Sequence, residues 1–178
     1  SLPANPKAGL EATASVQLID VDPKSPEHGS RKLVSLFYRK EAGVYWLPNT
    51  LAFEPTVGFP LRPGTRYALV VTDALLGENG APVIAGKDLQ EVLGLTSATD
   101  HTSAARQVFE PTLAEVEKAG ITRDKIVHFT AFTTADPTAE LFAVADDVPK
   151  SFPAPTADPN ASQHVGDKPT YDEYMGSY

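Results

Sequence analysis

In Leu61-Arg62-Pro63-Gly64-Thr65-Arg66-Tyr67-Ala68-Leu69-Val70-Val71-Thr72, a Pro-Gly pair reverses the chain and delivers an aromatic residue into a strand. Tyr67, Leu69 and Val71 fall on one face, and Arg66, Ala68, Val70 and Thr72 on the other. Side chains alternate along an extended backbone, so this pattern predicts a half-buried strand entered through a turn at Pro63-Gly64.

Upstream of that turn, the spacing of apolar runs and turn formers predicts more strands. Residues 1–14 form an extended lead-in without periodicity, Ser15 to Asp22 is rich in β-formers, and Pro23 to Ser30 is a loop. Arg31 to Lys40 is apolar on both faces and reads as one well-covered strand. Glu41-Ala42-Gly43 then turns into a further strand at Val44-Tyr45-Trp46-Leu47, closed by Pro48-Asn49, and Leu51 to Pro55 begins another.

Downstream, Gly77-Glu78-Asn79-Gly80 is a strong turn signal. The β pattern then gives way to helix between 88 and 120. A short helix runs from Asp88 to Leu93 with a Gly94 stop, and a longer region extends to Ala119, expected to divide or bend at Pro111 because proline removes a helical hydrogen bond. Ile126 to Thr134 is the clearest late strand, and Asp136-Pro137 opens a helix reaching to about residue 148. Residues 149–178 are Pro-rich and acidic and read as a linker, ending in the Tyr-rich run from Tyr171 to Tyr178, whose aromatic density predicts order.

Composition bounds the function. The 178 residues carry a net charge of -8 and no cysteine, which removes disulfide, thiolate and cysteine-ligated metal chemistry. Nucleic-acid binding needs a concentrated basic face, so a nucleic-acid partner is not expected. The acidity is concentrated from Asp136 onward, where eight acidic residues stand against Lys150 and Lys168, a net of -6. No apolar run approaches a membrane span, and the opening Ser1-Leu2-Pro3 reads as a processed or excised end.

Leu61, Pro63, Gly64, Thr65 and Tyr67, with Asn79, Gly80 and Pro82 and the later Phe132-Thr133-Thr134, resemble a bacterial immunoglobulin-like domain of the S-layer or fibronectin type III kind. Pro63, Gly64 and Tyr67 are similar to its tyrosine corner, in which the phenol bonds back to upstream backbone. The resemblance implies a mainly β fold, an antiparallel β-sandwich over residues 15–148, with the 88–120 helices as an insertion before the last strand. That insertion, the F-T-T strand, the D-P helix and the Tyr-Gly segment together are similar to N-terminal modules of secreted bacterial lipases and esterases of the α/β-hydrolase class. This second resemblance implies a secreted or cell-surface accessory module and an associated hydrolase domain as its partner.

The chain has no G-x-S-x-G and no H-E-x-x-H, and His28, His101, His128 and His164 lack an adjoining orienting motif. A catalytic site within the chain is therefore not expected. Asp20 and Asp22, with Glu27 or Asp73, could supply oxygen ligands for calcium, although the twelve-residue acidic loop is absent and a solvated strand end is the simpler reading. Otherwise no cofactor is expected. Tyr45 and Trp46, with Phe53 and Phe59, could form a stacking surface for a polymer or cell-surface ligand, against the alternative that they pack in the core.

Overall fold

The computed structural model describes residues 2–156 and 163–176. Among these are eight strands, all in antiparallel pairs, and three α-helices, in two compact units that divide after Ala135. The fold is thus mixed and sheet-rich.

The first unit is built on a four-stranded sheet with the order β2-β1-β5-β6, comprising β1 (Val16–Asp20), β2 (Arg31–Lys32), β5 (Arg66–Thr72) and β6 (Ile126–Thr133). A separate hairpin pairs β3 (Val34–Arg39) with β4 (Thr50–Pro55). Arg31 to Lys40 is therefore two strands that break at Leu33, the first in the main sheet and the second in the hairpin.

Central strands β1 and β5 are buried on both sides. Val16, Leu18, Tyr67, Leu69 and Val71 face the hairpin and pack with Val34, Val127 and the half-buried Leu36, Leu51 and Phe53. Ile19, Ala68 and Val70 face the other way, against Leu93, Leu113 and Val116 of the helices α1 (Lys87–Leu93) and α2 (Asp100–Lys118). The corner strand is thus not half-buried, because the helices cover the face that would otherwise be solvated.

Helix α2 runs continuously through Pro111. The N–H lost at Pro111 lies on the exposed side, and completely buried Leu113 and Val116 fix the following turns on the sheet, so tertiary packing carries the helix across the proline. The lead-in is also more structured than expected, forming a 3-10 turn at Pro6–Leu10 capped by Asn5.

The second unit contains α3 (Ala139–Ser151) and a hairpin of β7 (Gln163–Asp167) and β8 (Asp172–Met175). Asp136 lies just ahead of α3, its carboxylate accepting the N–H of Thr138 at 3.0 Å and of Ala139 at 3.2 Å, but the helix begins at Ala139 with Thr138 at its N-cap, so Pro137 stands in the preceding turn and not at the first helical position. Within the Tyr-rich run Asp172–Met175 form β8, whereas its last two residues, 177–178, and residues 157–162 of the Pro-rich stretch lie outside the described residues.

Candidate binding surface

The corner is a structural joint. Tyr67 is completely buried, and its hydroxyl accepts the backbone N–H of Arg62 at 3.1 Å. Gly64 takes φ of 60°, a left-handed conformation that a side chain would strain. The Gly64 N–H donates to Thr134 O at 3.1 Å, Thr134 N–H to Thr65 O at 3.0 Å, and Thr65 N–H to Thr134 Oγ1 at 3.0 Å. The Tyr67 ring lies 6.1 Å from Phe132, which in turn lies 6.3 Å from Phe53 of the hairpin. Pro63-Gly64 and Phe132-Thr133-Thr134, distant in sequence, close one turn together.

The expected strand at Val44–Leu47 is instead the tip of the β3–β4 hairpin. The last rung of the ladder is Arg39 with Thr50, so residues 40–49 have no opposing strand to pair with. The tip is held by its own hydrogen bonds: Gly43 N–H to Trp46 O at 3.0 Å, Asn49 N–H to Lys40 O at 3.1 Å, Thr50 Oγ1 to Leu47 O at 2.6 Å, and Tyr38 OH to Asn49 Oδ1 at 2.6 Å. Trp46 Nε1 donates to Glu41 O at 3.2 Å, and its indole lies so close to Gly43 that a Cβ there would sit 2.2 Å from the ring. Gly43 is required by this close approach.

This arrangement leaves Val44 88%, Tyr45 92% and Leu47 77% exposed, with Trp46 at 43%. Trp46 is therefore a brace of the loop and not a core residue. The four aromatics do not form one patch, because Phe53 turns inward toward Phe132 and Phe59 lies in the turn that follows β4. Only Tyr45 and Trp46 share the tip.

Beneath the hairpin lies an apolar cavity of about 330 Å³, lined in part by Leu36, Phe53, Leu69, Val71 and Val127, with His128 contributing a polar group. It arises because a two-stranded hairpin faces a four-stranded sheet and the apolar face is wider than its cover. No local signal in the sequence indicates it, since each lining residue reads as ordinary core.

The carboxylates considered for calcium are engaged in the loop that follows β1. Asp20 accepts Asp22 N–H at 3.1 Å and Ser25 Oγ at 2.6 Å, while Asp22 accepts Lys24 N–H at 2.9 Å and Arg66 N–H at 3.3 Å. Glu27 pairs with Lys32 and Arg62, and the Lys32 hydrogen bond foremost holds its carboxyl below the usual range. Asp73 pairs with Lys125 at 3.0 Å. In the second unit His164, Asp167 and Asp172 place ligand-type atoms within 4.8 Å of one another, all exposed, with His164 Nε2 2.8 Å from Asp167 Oδ1.

The other histidines are dispersed. His28 Nε2 lies 2.9 Å from Glu115 Oε2 of α2, while His101 and His128 are exposed on α2 and β6. A polar junction that the sequence did not reveal lies between the helices. Glu91, 3% exposed, accepts the hydroxyl of Thr102 at 2.6 Å, that of Thr99 at 2.9 Å and the Thr99 N–H at 3.1 Å. These bonds, the Thr102 hydroxyl first, depress its pKa. Arg123 similarly forks onto Glu110 at 2.7 and 2.9 Å and reaches Glu117 at 3.0 Å, which raises its own pKa.

Comparison with protein-family models, curated proteins and solved structures returns no match. The functional reading therefore rests on the geometry above.

Proposed function

We propose that this chain is a non-catalytic, immunoglobulin-like accessory module of a secreted bacterial hydrolase of the lipase or esterase type, and that it supports or presents the catalytic domain. The observation that carries this reading is α3, a 13-residue helix with no buried residue. Leu141, Phe142, Val144, Val148 and Phe152 are all exposed on or just beyond it, while Glu140, Asp147 and Lys150 lie on its polar side. A helix of this length is marginal in water without an apolar face packed against something, so its sequence suits a segment covered by a neighbouring domain. The Tyr67 corner and the Phe132-Thr133-Thr134 joint support the immunoglobulin-like comparison, with the β3–β4 hairpin lying where the second sheet of a sandwich would lie and the helices on the opposite face.

An esterase assay with a short-chain nitrophenyl ester tests this function. The chain alone is expected to give no turnover, and a parent polypeptide carrying it together with the proposed hydrolase domain is expected to hydrolyse the ester. Turnover by the isolated chain, or a parent polypeptide without G-x-S-x-G followed by Asp and His, would overturn the reading.

A second reading, an independent binding module for a polymer or cell-surface partner, is favoured by the ordered, outward-facing Val44–Leu47 tip. A repeat of the immunoglobulin-like pattern after Tyr178 would support it over the first.

A further inference from the structure

We infer that the loop from Lys40 to Asn49 is a membrane-docking tip, which enters the headgroup region of an anionic phospholipid bilayer. This stands on the hairpin alone and does not depend on an associated hydrolase domain.

Val44-Tyr45-Trp46-Leu47 is a run of four apolar residues at the end of a hairpin, and three of them are more than three-quarters exposed. Such a run is unfavourable in water unless something covers it. The loop does not hide it by collapse, because its hydrogen bonds at Gly43, Asn49 and Thr50 and the seating of Trp46 on Gly43 hold the other three side chains outward. Little further ordering is needed for these side chains to be buried by a partner.

The shape and residue types favour a lipid interface. A convex tip cannot enclose a small ligand. Broad sugar-stacking platforms are built from aromatic faces, and with the Trp46 ring packed against Gly43 and its N–H donated to Glu41 O, Tyr45 alone of the tip aromatics stands fully outward. Val44 and Leu47 suit acyl chains, and Tyr45 has the amphipathic character favoured at the level of the headgroups.

Charge complementarity selects the lipid. From residue 31 to 55 the chain carries Arg31, Lys32, Arg39 and Lys40 against Glu41 and Glu54, in a protein of net charge -8. Arg31 and Lys32 are engaged at the far end of the hairpin with Gln17 and Glu27. At the tip, Arg39 has no charged partner among the described residues, and Lys40 makes only an exposed pair with Glu78 at 3.4 Å. Both stand immediately behind the apolar run, where lipid phosphates would lie. An anionic surface attracts Arg39 and Lys40 and so favours the approach of this tip.

The test is co-sedimentation of the full chain with vesicles of phosphatidylcholine and phosphatidylglycerol in a roughly 2:1 ratio, alongside pure phosphatidylcholine. Trp46, the single tryptophan, reports on the tip by its fluorescence. Binding to the mixed vesicles with a blue shift of Trp46 emission is expected. The combined Val44→Ser, Tyr45→Ser and Leu47→Ser variant should lose at least about tenfold in partitioning. Separately, Arg39→Gln with Lys40→Gln should lose roughly tenfold on the mixed vesicles but little on pure phosphatidylcholine. Absence of binding to mixed vesicles, equal binding to both vesicle types, or undiminished binding by either variant would overturn the inference. The charge variant leaves every apolar residue in place, so it decides the matter even if the triple variant folds poorly.

Discussion

The phenolic oxygen of Tyr67 accepts the backbone N–H of Arg62 across the turn at Pro63-Gly64, at 3.1 Å, with the Tyr67 ring wholly buried against Phe132. Tyr67→Phe keeps the ring and removes the acceptor, leaving a partly buried N–H without its partner. The expected loss is about 1 to 2 kcal/mol in urea denaturation, with Tyr67→Ala costing about 3 to 5 kcal/mol because a cavity opens as well. Equal stability of Tyr67→Phe and the parent chain would show that the hydrogen bond contributes nothing.

Trp46 braces an exposed loop, so truncating it affects far less than the core. Trp46→Ala is expected to cost about 1 kcal/mol or less, against the roughly 3 to 5 kcal/mol typical of a core tryptophan. Gly43→Ala should displace the indole and change the emission of the only tryptophan while leaving the unfolding midpoint nearly unchanged. A loss of core size for Trp46→Ala would mean the tip packs inward.

Pro111 sits inside α2 on its exposed side. Pro111→Ala restores an N–H donor for the preceding turn and removes the clash of the ring with the carbonyl four residues earlier. It is expected to stabilise the chain by about 1 to 3 kcal/mol, read as a raised melting temperature. A lowered one would show that the helix depends on proline geometry at this point.

Glu91 has a folded-state pKa below its ordinary value of 4.5, chiefly through the Thr102 hydroxyl. A carboxyl that is more acidic in the folded state than in the unfolded state contributes stability above its unfolded pKa and loses it as pH falls through the folded pKa. Stability should therefore decline on acidification below about pH 4.5, and Glu91→Gln should make that decline shallower by removing one titrating group. Denaturation midpoints at about pH 6, 5, 4 and 3 check this; identical acid profiles for the two proteins would exclude Glu91 as a contributor.

Elements fixed by adjacent residues were legible from the chain alone. Pro63-Gly64 and Tyr67 define their turn through covalent geometry and alternation, and the Asp136 carboxylate marks the approach to α3 for the same local reason, although the helix itself begins two residues after Pro137, at Ala139. The status of Trp46 was not legible, because an aromatic in an apolar run reads as core until the pairing register shows that β3 and β4 end at Arg39 and Thr50. Glu91 reads as a surface acid on a short helix, and only the approach of α2 brings Thr99 and Thr102 to it.

The amino-acid sequence by itself determined the turn at Pro63-Gly64 and the strands at Arg66–Thr72 and Ile126–Thr133, since those depend on backbone preferences and on the period of neighbouring side chains, but not the break at Leu33 or the absence of a strand at Val44 to Leu47. Tertiary structure alone decided which faces are covered. Ala68 and Val70 become core because α2 lies over them, Val44 to Leu47 stay exposed because no strand pairs with them, and the cavity opens because a hairpin is narrower than the sheet it covers. Burial and exposure are properties of pairs of surfaces, and the partner of each surface is contributed by residues far away along the chain.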